Sequence, residues 1–318
     1  MYSYMIRRVL TMIPTVLILS ILLFAISHLA KGDPLAGLVN PSTAKNPDYI
    51  QHLRHVYGLD RPAYVQYFLW LKNMLHGDFG YSMSKGLPVS MLLKQTIGNS
   101  LKLAIAAEMI TLAIGIPAGI LAARNKDTYV DYTATAFTLV SLSTPSFFIG
   151  LILIYVFAIT LQWLPAFGTS DPSGNGGALD SLRHMILPAL TIAVIQIAPY
   201  IQYMRSSMLD HMRMDYVRTA RAKGLREREV MNRHVLRNAM IPIITLFGLD
   251  ITTFLAGAPI TEYVFTWPGI GQLSIHAVLN RDYTVIMAVN VIAAAAVLIG
   301  NLISDMLYAL ADPRIRYD

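Results

Sequence analysis

The sequence predicts an all-α integral membrane protein with six transmembrane helices. Three observations predict it. Hydrophobic residues make up 55% of the 318 and charged residues only 14%, against about 25% charged in an ordinary soluble domain. Mean hydropathy is +0.50. Six apolar runs, at residues 9–29, 99–123, 132–161, 184–204, 239–261 and 284–310, are each long enough to cross about 30 Å of hydrocarbon at about 1.5 Å per residue. The whole chain, 1–318, reads as one transmembrane domain.

The first run exceeds a signal-peptide core, and no small-x-small site follows promptly, so it reads as a retained span. Arg7 and Arg8 precede it, and Arg314 and Arg316 follow the last run. The positive-inside rule then predicts that both termini are cytoplasmic. With that orientation, 124–131, 205–238 and the two tails hold 15 of the 25 Lys and Arg residues. The net charge of +6 is thus read as membrane orientation rather than nucleic-acid binding. There is no Cys, which excludes disulfides and thiolate chemistry.

Most runs contain proline: Pro14, Pro117, Pro145, Pro188, Pro199, Pro242 and Pro259. Each removes a backbone hydrogen bond and can kink its helix. Neighbouring helices can satisfy the freed groups, so packing and motion remain open readings for each.

Residues 31–98 form a long extracytoplasmic insertion. Asp60-Arg61-Pro62 predicts a helix start with Asp at the cap and Pro in the first turn. Tyr64, Val65, Tyr67, Phe68, Leu71, Met74 and Leu75 then recur at helical spacing until Gly77. This predicts an amphipathic helix of about four turns on the outer surface. It can pack as a lid on the bundle or offer a platform to a partner. The outer segment 162–183 contains DPSGNGG and reads as an irregular link. The outer segment 262–282 contains TWPGIGQLS, with Trp267 expected at the membrane interface and a turn at Pro268-Gly269.

Catalytic patterns are missing from the sequence. It has no P-loop, H-E-x-x-H, G-x-S-x-G or G-x-G-x-x-G, so no catalytic, metal or cofactor site is expected. His52 and His55 lack an obvious completing carboxylate and read as a surface pair. Ionisable groups inside apolar runs are costly and usually face the bundle interior. Glu108, Asp250 and Asp305 lie in such runs, joined by polar Gln196, Asn290 and Asn301. They can pair within the bundle or line a passage. Glu108, Gln196, Asp250, Asn290 and Asn301 are the translocation-path candidates.

The connection 205–238 is the longest one on the basic side. Its segment DYVRTARAKGLREREVMNRHVLRN carries seven Lys or Arg. Met208, Met212, Tyr216 and Ala220 follow an i, i+4 line, which predicts that the preceding span continues as a helix. Arg221 and Lys223 suit the negative end of the helix dipole. Gly224 suits C′, where a positive φ stops the helix. A second helix is expected from Glu227 to about Asn238, with Val230, Met231 and His234 on one side. Ala220 and Gly224, four apart, would make a small-residue notch for a close-packed partner. Glu227 and Glu229 interrupt the basic residues and aromatics are scarce, which argues against nucleic acid. Orientation alone needs only a few charges near the membrane. The segment therefore reads as a docking element.

YVRTARAKGL followed by HVLRN resembles the cytoplasmic loop of permease subunits of binding-protein-dependent ABC importers. That family's pattern is Glu-Ala-Ala, three residues, Gly, then nine residues on, apolar-x-Leu-Pro. Arg218, Thr219 and Ala220 stand at the first three positions, Gly224 at the Gly, and His234, Val235, Leu236 and Arg237 at the last four. Only Ala220, Gly224 and Leu236 match the general pattern. The departures are similar to the peptide branch, where YxRTARAKG is usual. So are MIRRVLTMIPTVLILSILLF, YGLDRPAYVQY, GDFGYS, STPSFFIGLILI, ITEYVFTWPGIGQL, RDYTVIMA and YALADPRIRY, spread over the whole chain.

The resemblance implies a type I ABC importer permease, the first of two in an oligopeptide or dipeptide system. It implies a heterodimer with a second permease, two ATP-binding subunits and an extracytoplasmic peptide-binding protein. ATP and Mg would be bound by those partner ATPases and the peptide would cross between the permeases. The resemblance also implies multi-pass residence in the bilayer of a bacterial or archaeal cell membrane. Related importers carry nickel, glutathione or oligosaccharide. The coupling residues it implies are Asp215, Arg218, Thr219, Ala220, Arg221, Lys223, Gly224, Leu225, His234, Leu236 and Arg237. A secondary transporter is the competing class, but no inverted repeat supports it.

Overall fold

The computed structural model describes residues 2–29, 46–56, 58–171, 177–254 and 256–311. These are mostly helical, with no strand among the described residues beyond an isolated bridge between Tyr81 and Pro88. The helices are α1 (Tyr2–Leu29), α2 (Pro47–Val56), α3 (Ala63–Leu75), α4 (Val89–Arg124), α5 (Tyr129–Ser143), α6 (Ser146–Leu153), α7 (Gly177–Met212), α8 (Asp215–Ala222), α9 (Glu227–Glu229), α10 (Leu236–Ala239), α11 (Ile241–Phe254), α12 (Pro259–Val264), α13 (Ile270–Leu279) and α14 (Tyr283–Ala311). Two π-helical stretches, Ile154–Thr160 and Val230–Val235, continue α6 and α9 without a break.

The centre of the bundle is the packing of α4 against α7. Each has 36 residues, roughly 54 Å at the helical rise and longer than a bilayer core requires. The two approach closely because α4 presents Gly115 and Gly119 to Tyr200 and Met204. A Cβ on Gly119 would come within 2.6 Å of Met204 Cβ and 2.9 Å of the Ile201 carbonyl. Small residues allow such an approach where apolar burial alone drives little helix association. α11 packs mainly on α14, α14 also on α1, and α5 and α6 on α7.

The prolines divide into two kinds. Pro117, Pro188 and Pro199 sit inside helices that continue past them. Pro145 does not. Thr144 before it is extended (φ −99°, ψ 126°), as steric conflict with a following proline ring favours. The segments Tyr129–Ser143 and Ser146–Thr160 consequently meet at 109°. The expected span at 132–161 is therefore sharply broken at its proline. The expected span at 239–261 is interrupted too: α11 stops at Phe254, Gly257 takes φ +75°, and Pro259 opens α12 at its first turn. At its other end α11 joins Glu227–Ala239 with a 41° bend.

Among the outer segments, α3 is the predicted amphipathic helix. Its start differs from expectation. The cap position is Pro62, with no side-chain cap, and Asp60 instead meets His55 Nδ1 at 2.8 Å. The inward face of α3 includes Trp70 as well as Tyr67. Tyr67 hydroxyl bonds Ser20 Oγ at 2.9 Å, and Phe24 of α1 lies edge-on to Tyr67. α3 is thereby fastened to α1 as a cover. Of the expected irregular link at 162–183, residues 172–176 lie outside the described residues, and from Gly177 on the chain already belongs to α7. Residues 31–45, Arg314 and Arg316 also lie outside them.

Candidate functional site

The basic arm joins the end of α7 to the start of α11. The expected unbroken helix through 205–220 is not what forms. α7 stops at Met212, and Met214 is extended (φ −71°, ψ 150°) before α8 begins at Asp215. This break shifts the helical phase. Tyr216, on the expected i, i+4 line with Met208 and Ala220, is exposed, while Val217 is fully buried beside those two.

α8 ends as the glycine predicts. Gly224 has φ +77°. Its N–H donates to Arg221 O at 2.9 Å, and Leu225 N–H donates to Ala220 O at 3.4 Å. These are the paired bonds of a Schellman cap, which need a residue in the left-handed region at C′. The second helix runs through α9, the π-helical Val230–Val235 and α10. Its expected extent is therefore right, but a π-helical stretch occupies its middle. Across the corner, Arg221 donates twice to Glu227, at 2.7 and 3.1 Å. The hydrogen bonds from Arg221 hold the Glu227 carboxyl below its ordinary range, outweighing slight desolvation.

The arm has two unlike faces. Inward, Val217, Ala220, Val230, Met231 and Val235 form one apolar cluster with Met204 and Met208 of α7, Ala123 of α4 and Ile243 of α11. Arg124 at the end of α4 donates to Asn232 Oδ1 at 2.8 Å. Nearby, Arg205 grips Asp131 of α5 with two bonds, 2.5 and 2.7 Å. Outward, Asp215, Arg218, Thr219, Arg221, Lys223, Gly224, Leu225 and Arg237 are exposed, while His234 and Leu236 are half-buried. The anticipated notch is corrected on one point. Ala220 is 4% exposed and covered by this chain's own Val230 cluster, so its small size serves internal packing. Gly224 stands clear of other atoms, so its hydrogen side chain answers the backbone, not a close neighbour in this chain.

The path candidates do not converge. Glu108 of α4 and Asp250 of α11 meet on Tyr200 of α7, whose hydroxyl lies 2.9 Å from Glu108 Oε1 and 2.7 Å from Asp250 Oδ2. Gln196 is half-buried, 3.5 Å from Thr111 Oγ1, and lines a narrow cavity with Ser100, Ile192, Phe254 and Glu262. Asn290 is exposed on α14 and donates to its own helix at Ile286 O, 2.8 Å. Asn301, also on α14, is half-buried.

Sequence reading missed the opposite end of α11. There Glu262 is 1% exposed. It accepts from Ser100 Oγ at 2.7 Å and from the N–H groups of Gly271 (2.7 Å) and Gln272 (3.0 Å). Ser100 Oγ in turn accepts from Ile270 N–H at 2.8 Å. The free donors at the start of α13 are thus capped from α12 and α4. Trp267 is not interfacial. It is 3% exposed, packs with Leu103, Ala107 and Ala189, and donates from Nε1 to Asn99 O at 3.1 Å. A usable signal existed: Glu262 is the single Asp, Glu, Lys or Arg between Asp250 and Arg281. Asp282 caps α14 at Val285 N–H (3.3 Å) and accepts from Ser82 Oγ and Ser84 Oγ at 2.5 and 2.8 Å. Burial opposes its ionisation, but these bonds prevail and hold the carboxyl below its ordinary range.

Helices long and apolar enough to cross a bilayer, joined on the basic side by a cornered pair of short helices, define a multi-pass membrane protein. Residues 115–317 match the family described as binding-protein-dependent transport system inner membrane component, and residues 1–111 match that system's N-terminal membrane component. The chain belongs to this family of binding-protein-dependent transport permeases. It is 44% identical over 320 residues, covering all of both chains, to the oligopeptide transport system permease protein AppB of Bacillus subtilis. It is 37% identical to the di/tripeptide permease DppB of Pseudomonas aeruginosa, over all of this chain and 99% of the other. The glutathione permease GsiC of Escherichia coli K12 is also 37% identical, over all of both chains. A chain of the inward-facing MetNI methionine ABC transporter shares the fold, with a TM-score of 0.57 at 14% identity, over 70% of this chain and 97% of that one.

Proposed function

We propose that this chain is the first of two related permeases in an ATP-driven importer of oligopeptides or dipeptides. The observation that carries the proposal is the arm: two short helices at a Gly224 corner, apolar beneath and charged above, linking α7 to α11. The names of full-length relatives at 37–44% identity support peptide as the cargo. In this reading both termini and the arm are cytoplasmic, residues 31–98 are extracytoplasmic, and the chain lies in a bacterial or archaeal cell membrane. An extracytoplasmic binding protein delivers the peptide. Two partner ATPases hold ATP and Mg, and the peptide crosses between the two permeases.

The arm's construction suits a lever. Its underside is continuous with α4, α7 and α11, so a push on its exposed face is not absorbed within it. ATP-driven closure of the ATPases displaces the arm, α7 and α11 tilt with it, and the path opens outward. Hydrolysis resets the assembly. Glutathione, nickel or oligosaccharide are alternative cargos, and glutathione has a full-length relative in its favour. The test is uptake of labelled tripeptide, dipeptide and glutathione into proteoliposomes holding both permeases, the ATPases and the binding protein. Peptide uptake that needs internal ATP and survives a protonophore is the expected result. Uptake that survives ATP depletion and collapses with the proton gradient would sink the proposal.

A further inference from the structure

Three side chains from three helices meet inside the bundle, away from the exposed face of the arm. Tyr200 of α7 is 1% exposed and Glu108 of α4 is 3% exposed. The Tyr200 hydroxyl lies within hydrogen-bonding distance of both Glu108 Oε1 and Asp250 Oδ2. A phenol carries one hydrogen, and an ionised carboxylate can only accept. One hydroxyl therefore cannot satisfy two carboxylates at once. Both contacts become hydrogen bonds only if one carboxyl brings its own proton.

The geometry says which one. The shorter contact is with Asp250, at 2.7 Å against 2.9 Å for Glu108. Glu108 Oε2 is buried with no hydrogen-bond partner among the described residues. A bare charged oxygen there would be far costlier than a neutral one. The charged groups acting on Tyr200 are these two carboxyls.

We infer that Glu108 is a protonated carboxylic acid that donates through Oε1 to the Tyr200 oxygen, while Tyr200 donates to Asp250 Oδ2. The result is a directed chain of two hydrogen bonds crossing α4, α7 and α11. Atoms balance: three oxygens share two hydrogens and one negative charge, which rests on Asp250. Tyr200 also belongs to the apolar cluster beneath the arm. Glu108 and Tyr200 thus act as positioning residues that set α11 against the α4–α7 pair. The positioning role rests on the lever reading of the arm, but the protonation does not.

The test is infrared spectroscopy of the assembled transporter in lipid nanodiscs at neutral pH, reading the C=O stretch of protonated carboxyl groups. Wild type is expected to show such a band that disappears in Glu108→Gln. The band is expected to persist at a shifted frequency in Asp250→Asn, and to move towards that of an unbonded acid in Tyr200→Phe. If Glu108→Gln does not assemble, the Tyr200→Phe shift carries the test. No protonated-carboxyl band in wild type, or one unmoved by Glu108→Gln and Tyr200→Phe, would overturn the inference. Loss of the band in Asp250→Asn instead would overturn its assignment to Glu108. None of these outcomes depends on the cargo or on coupling to ATP.

Discussion

The two ends of α11 treat charge in opposite ways. At its start, the arm turns its Arg, Lys, Asp and Glu residues outward and keeps only apolar groups beneath. At its far end, Glu262 and Asp282 turn inward, Glu262 accepting from Ser100, Gly271 and Gln272 and Asp282 from the distant Ser82 and Ser84. Exposed ion pairs contribute little to stability. Buried carboxylates with several donors build structure, and removing one leaves its partners unsatisfied. The arm's charges are thus free to meet a partner, while those at the other end are committed to the fold.

The largest expected effect comes from breaking the buried end. Glu262→Ala orphans Ser100 and two helix-terminal N–H groups, and should cost about 3 kcal/mol or more. Thermal unfolding of the solubilised transporter checks this, and a wild-type melting curve would refute the role given to Glu262. Next comes the arm's underside. Ala220→Leu overfills the cluster around Val230 and should cost about 1–3 kcal/mol. If Ala220 instead faced a partner, that variant would melt normally and lose only ATPase binding in pull-down.

Acid should loosen the buried end more gently. Asp282 has a lowered folded-state pKa, so its contribution is complete above the ordinary carboxylate range and is lost as pH falls through the folded value. The melting-temperature difference between wild type and Asp282→Asn should stay constant through neutral and mildly acidic pH and shrink only in strong acid. A difference that shrinks on alkalinisation would contradict the sign. The smallest stability effect should come from Arg221→Ala. Arg221 and Glu227 are both substantially exposed, so the loss should be about 0.2–1 kcal/mol. If uptake falls much further than stability, the charge serves the partner.

The three unbroken spans, α4, α7 and α14, and the stop at Gly224 are readable because each depends on local composition or on one residue's backbone freedom. α3 was readable from its periodicity. Pro145 was not separable from Pro117, Pro188 or Pro199, since only three-dimensional packing decides which proline ends a helix. The helix through 205–220 is not continuous because a two-residue break at Arg213-Met214 resets the helical phase, and nothing in those residue types announces it. Trp267 and Glu262 were misplaced or missed because their partners, Asn99 and Ser100, lie more than 160 positions away. The family resemblance spans the whole chain, but says nothing of these pairings. Glu108 and Asp250 stand out in the sequence as costly charges, whereas Tyr200, which joins them, does not.

In the proposed mechanism the Gly224 corner makes the arm a rigid lever. The most direct measurement of this is peptide taken up per ATP hydrolysed in proteoliposomes, comparing Gly224→Asn with Gly224→Val. Asn tolerates the left-handed region, whereas a β-branched residue at φ +77° is strained by roughly 1–2 kcal/mol. Near wild-type coupling is expected for Asn, and about a tenfold fall for Val with the permease still inserted. Wild-type uptake per ATP in Gly224→Val would contradict it.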